Sequence, residues 1–207
     1  MIKTYRFFPL LCLVILVASG YQDRVQVPSV QAIRDLKEGV LIVRFPGFKA
    51  KIDTLTSMIS RTEDENTKNR LQKLLDETIY ERDTVRQDYI QAFGNYYDFS
   101  KVAYFMDFEA KDPENANFFS LEGSKLTFQE ITKGPHVYLF FEKSEESKID
   151  ALVVYDKDKK IIPRPFPNNF TRGGFSFLFT KLSEQKFADW RVKKMNKKFH
   201  KFWEQVN

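Results

Sequence analysis

Apolar residues in this chain fall into two kinds of run. One kind is short, dense and β-branched. Val40-Leu41-Ile42-Val43-Arg44-Phe45 stands behind Gly39 and ahead of Pro46-Gly47, which is the pattern of a buried strand. Val102 to Met106, ending at Asp107, is a second. His136 to Phe141 follows the Gly134-Pro135 break, and Ala151 to Tyr155 runs into a polar turn at Asp156 to Lys160. Shorter strands are expected at Asn117 to Leu121, Lys125 to Glu130 and Phe175 to Phe179. Pro163, Pro165 and Pro167 alternate, and because proline cannot donate to a ladder they predict an edge or an extended surface arm. Tyr21 to Ser29 shows no apolar period and predicts an extended lead-in.

The other kind of run is helical. Ile52, Leu55 and Ile59 share one face. Thr62-Glu63-Asp64-Glu65 matches a capping box, with Thr62 as N-cap of a second helix. Leu71, Leu75, Ile79, Val85, Tyr89 and Phe93 form its stripe, and Gly94 is the expected C-cap. This helical pair, about 48–93, is too poor in apolar residues to be buried and reads as a surface for another protein. A last helix, about 183–206, carries a seam of Ala188, Val192, Met195, Phe199, Phe202 and Val206. The order predicts an α/β to α+β fold: a single domain with a mixed sheet, a long helical pair inserted after the first strand, and a C-terminal amphipathic helix.

The amino terminus has a different character. Lys3 and Arg6 precede an apolar stretch from Phe7 to Val17, and Ala18-Ser19-Gly20 offers small residues for cleavage. That stretch is well short of the ~20 residues of a spanning helix. Residues 1–20 therefore read as a signal peptide and 21–207 as the domain, exported to a periplasmic or extracellular location. The single cysteine, Cys12, lies inside the apolar stretch, so removal of the signal leaves no thiol. This excludes a disulfide framework, multi-cysteine metal sites and thiol catalysis.

Leu36-Lys37-Glu38-Gly39-Val40-Leu41-Ile42-Val43-Arg44, the charged helices after it, and Tyr97-Asp98-Phe99-Ser100-Lys101-Val102-Ala103-Tyr104-Phe105 together carry a resemblance. The layout, over about Ile33 to Tyr155, resembles a group of small exported bacterial proteins with no assigned activity. Members often hold a cysteine before the second strand, where this chain has Ser100. The resemblance implies export and one α/β-type domain. It implies no substrate and no catalytic residue.

Charge changes the picture in one place. The chain has 33 Lys plus Arg, 28 Asp plus Glu and a net charge of +5. Residues 181–207 carry eight basic and three acidic residues, which accounts for that whole balance. A polarised charge of this size does not predict nucleic acid. Arg191, Lys194, Lys197, Lys198, Lys201 and Trp203 instead outline a surface for an anionic membrane or an acidic partner. The alternative is a helix docked on its own core with solvated lysines.

Reaction motifs are absent: no G-x-S-x-G, H-E-x-x-H, Walker loop or G-x-G-x-x-G occurs. His136, Asp107 and Glu109 are the candidates for a carboxylate-dependent hydrolase, provided that they meet at one end of the sheet. No cofactor or metal site is expected, since the acidic cluster from Asp107 to Glu114 fits no cation loop. These observations favour a non-catalytic binding or assembly role in the cell envelope.

Overall fold

Pro28 lies in the first turn of a helix, where its missing N–H costs nothing and its fixed φ suits the helical start. A computed structural model, which describes residues 27–107, 115–143, 149–171 and 184–207, shows that helix as α1 (Val27–Glu38). Ser29, Ala32, Ile33 and Leu36 make its buried stripe, so the extended lead-in expected up to Ser29 gives way to helix at Val27. Residues 1–20, Glu109 and the strand expected at Phe175 to Phe179 lie outside the described residues.

Gly39 then permits a close approach. A Cβ there would sit 1.9 Å from the Pro135 carbonyl oxygen. The same carbonyl accepts from the Val40 N–H at 3.1 Å. This contact fixes where β1 (Val40–Phe45) and β5 (His136–Lys143) begin side by side. β1 is flanked by two parallel neighbours, β2 (Lys101–Met106) and β5, with Val40 level with both Lys101 and His136. Antiparallel strands extend the sheet on both sides: β3 (Phe118–Ser120) and β4 (Lys125–Leu126) beyond β2, β6 (Asp150–Tyr155) and β7 (Asn169–Thr171) beyond β5. The seven strands stand in the order β4-β3-β2-β1-β5-β6-β7, a mixed sheet.

Between β1 and β2 run α2 (Lys49–Arg61) and the 32-residue α3 (Glu65–Tyr96), about 48 Å long at 1.5 Å per residue. Two local expectations are corrected here. Asp64, not Thr62, caps α3: its carboxylate accepts from the Thr67 N–H at 2.7 Å, while the Thr62 hydroxyl donates back to the Met58 carbonyl. Gly94 lies inside the helix, which ends at Tyr96 and is capped by Tyr97, whose N–H donates to the Phe93 carbonyl. A third correction falls at Lys125 to Glu130. After β4 the chain turns into a short helix, α4 (Phe128–Thr132), because Thr127 and Glu130 form a capping box.

α5 (Glu184–Val206) closes the core. Ala188, Val192, Met195, Phe199 and Phe202 are buried with Leu41, Val43, Leu139, Leu152 and Val154 from one sheet face, and with Ile33, Leu36 and Phe93 from α1 and α3. The proline segment anchors there too, through Phe166 against the Phe199 and Phe202 rings. The opposite sheet face buries Ile42, Ala103, Phe105, Tyr138 and Phe140 around Ile131 of α4. The result is an α+β single domain. α2 and the first half of α3 form an arm whose buried residues through position 84 are Leu55, Leu71 and Thr78.

Candidate functional site

The register of the parallel strands separates the expected catalytic group. His136 starts β5, level with Val40, whereas Asp107 follows Met106, level with the far end of β1. Six residues at ~3.3 Å each put them about 20 Å apart along the strands. They cannot share a reacting centre. His136 packs edge-on against Tyr138, and its Nδ1 lies 3.4 Å from the Gly134 carbonyl oxygen. Asp107 accepts from the Gly47 N–H at 2.6 Å and pairs with Arg44 at 3.6 Å, while its own N–H donates to the Phe45 carbonyl. It is a clasp between strand ends. Among the described residues no group of His, Cys, Asp or Glu is placed to hold a metal ion.

The basic helix is also redistributed. Its apolar seam faces the core, and undocking would expose Val192, Met195, Phe199 and Phe202 at about 1.5–3 kcal/mol each. Roughly 6–12 kcal/mol holds that face on the core against exposure to water. Trp203 is half-buried, with Phe99 beside it. Lys194 lies over the Trp190 ring, while Lys198 and Lys201 line a groove of about 430 Å³ beside the proline segment with Arg164 and Gln205. Desolvation first, then the charges of Lys198 and Arg191, lowers the Lys194 ammonium from its ordinary value. Lys197 is exposed.

Arg191 leaves that surface altogether: it is 4% exposed. Its Nη1 donates to the Tyr89 hydroxyl at 3.0 Å and its Nη2 to the Asp150 carbonyl. The guanidinium lies over the Phe187 ring, 4.8 Å from its centre. Its buried Nε has no hydrogen-bond partner. Among the described residues, none of the ion pairs reaches it.

Arg191 lines a cleft of about 410 Å³ together with Pro46, Phe48, Tyr89, Phe141 and Phe187 among others. This volume falls in the ordinary range of small-molecule sites. Its position follows from topology. The cleft lies at the carboxyl ends of β1 and β5, where the connections to β2 and to the antiparallel β6 lead to opposite sides. Phe48, just past β1, has left-handed backbone angles, φ 52 and ψ 23, unusual for a bulky residue and of the kind that gathers at functional sites. Tyr89 meets Phe141 edge-on at 4.7 Å, building an aromatic wall.

Periodicity contained part of this. Arg191 lies three residues after Ala188 and four before Met195, so it sits in the seam and not on the lysine face. Phe48, Tyr89 and Phe141 come from separate elements, and only the register brings them together. No family model, curated protein or solved structure matches this chain.

Proposed function

We propose that this protein acts by binding and not by turnover, and that it takes a small, apolar-bodied ligand in the cleft between β1, β5, β6, α3 and α5. One observation carries the reading: an aromatic-walled cleft of about 410 Å³ lies at the carboxyl ends of β1 and β5. The separation of Asp107 from His136 supports this reading over the hydrolytic one. Amide NMR of the purified chain against small aromatic fragments tests it. Shifts should cluster at Phe48, Val85, Tyr89, Phe141 and Phe187, with each fragment recovered unaltered. Shifts scattered elsewhere, or a chemically changed fragment, would overturn it.

Export belongs to the same proposal and is supported by the pattern of residues 1–20. A second reading, favoured by the few buried residues along the arm, is that a protein partner binds there. A photo-crosslinker at position 80 in exporting cells should yield a discrete heavier adduct, and free chain alone would refute it. Membrane attachment through α5 would rest on its outer lysines, because its apolar seam is occupied.

A further inference from the structure

We infer that the ligand of the cleft carries an anionic group, a carboxylate or phosphate, that pairs with Arg191; this rests on the binding role proposed above. A guanidinium is always charged and offers five N–H donors. Here two of its nitrogens meet neutral acceptors, the Tyr89 hydroxyl and the Asp150 carbonyl, and the third meets nothing. Among the described residues no ion pair offsets its charge; a buried charge without a counter-charge is costly, and an unmatched donor adds to that cost. Proteins keep such an arrangement where something else supplies the missing partner. An anion lodged in the cleft supplies that counter-charge; Nε itself is sealed from solvent, so the pairing is with the guanidinium charge as a whole.

Acidic residues line the same cleft: Glu81, Asp88, Glu142 and Asp150, with Lys143 as a further cation. Magnitude decides between them and Arg191. Glu81, Glu142 and Asp150 are exposed, so water screens them, and Asp88 alone of the four is half-buried. Arg191 acts from a desolvated position, where a given charge separation is worth several times more than in water. The aromatic wall of Tyr89 and Phe141 then suits an apolar body behind the anionic group.

The test uses the intact wild-type chain and two matched sets of probes: phenylacetate, 3-phenylpropanoate and 4-phenylbutanoate, and their primary amides. The readouts are the amide resonances of the cleft and the Arg191 Nε–H resonance. An acid is expected to bind about tenfold more tightly than its amide and to move the Nε–H signal. Acids and amides that bind the cleft equally, leaving Nε–H unmoved, would overturn the inference while the binding role stands. Probes that leave the cleft unperturbed at millimolar concentration would overturn both. Arg191→Gln should abolish the preference and Arg191→Lys should retain part of it; the wild-type comparison decides the matter even if neither variant folds.

Discussion

His200 on α5 and Asp98, in the loop behind α3, meet at 2.7 Å between Nε2 and Oδ1. Asn196, one turn earlier, donates its Nδ2 to the same oxygen at 2.9 Å. These contacts pin the last helix to the chain just before β2. They hold the Asp98 carboxyl below its ordinary value of 3.8, with Asn196 the larger cause and His200 the next.

A carboxyl with a depressed folded value stabilises the fold above its unfolded value, and that contribution is lost as pH falls through the folded one. Wild-type protein is therefore expected to lose more stability than Asp98→Asn as pH drops below 3.8. Asp98 is largely exposed, so the difference should stay within about 1 kcal/mol. Urea midpoints of the two proteins, compared at neutral pH and in acid, check the sign.

Phe199 is fully buried and touches the rings of Tyr97, Phe99, Phe166 and Phe170. Phe199→Ala should cost about 3–5 kcal/mol, because a cavity forms where four rings converge. Lys197→Ala, on the exposed side of the same helix, should stay within about 0.5 kcal/mol. Equal effects in equilibrium denaturation would mean that α5 is not docked.

Gly39 allows no Cβ, since its nearest neighbour is a backbone oxygen that cannot rotate away. Gly39→Ala is expected to reach or exceed the ~3 kcal/mol typical of severe overpacking. Gly94→Ala has open space and belongs to a helix interior, so it should stabilise by up to about 1 kcal/mol. Thermal unfolding of the pair should move in opposite directions.

Phe48 combines two effects that a single substitution would confuse. Removing the ring loses contacts, while its left-handed backbone costs about 1–2 kcal/mol for any residue with a Cβ. Comparing Phe48→Gly with Phe48→Ala cancels the ring. The glycine variant should be the more stable of the two by about that amount, as read from denaturation midpoints.

The arm should open before the domain does. From α2 to the middle of α3 few residues are buried, whereas Tyr89, Ala92 and Phe93 are held by the core. Hydrogen exchange is expected to be fast over Lys49 to Tyr80 and slow over Tyr89 to Phe93. Uniform protection along α3 would contradict this picture.

The sheet was legible wherever one short run of residues carries the whole signal. Val40 to Phe45 and Ala151 to Tyr155 are buried strands by composition alone, and α5 is a helix by its seam. α1 escaped because its stripe is short and includes Ser29, whose hydroxyl donates to the Pro163 carbonyl in place of apolar packing. Thr62 and Asp64 are both competent caps, and geometry chose the one that reaches the Thr67 amide. The cleft was not legible. It depends on β1 lying between β2 and β5, a non-local pairing that leaves no trace in any short window. The hydrolytic group failed for the same reason, since parallel pairing sends His136 and Asp107 to opposite ends.

The packing of α5 has a consequence for how the chain comes to be made. β1, β5 and β6 are translated well before the helix that covers them, so Leu41, Leu139 and Val154 emerge from the ribosome without their lid. A nascent chain at that stage offers a bare apolar sheet face, the kind of surface that recruits chaperones or aggregates. Translation halted anywhere inside α5 would leave the same face uncovered, so late truncations should be cleared by proteolysis as readily as early ones.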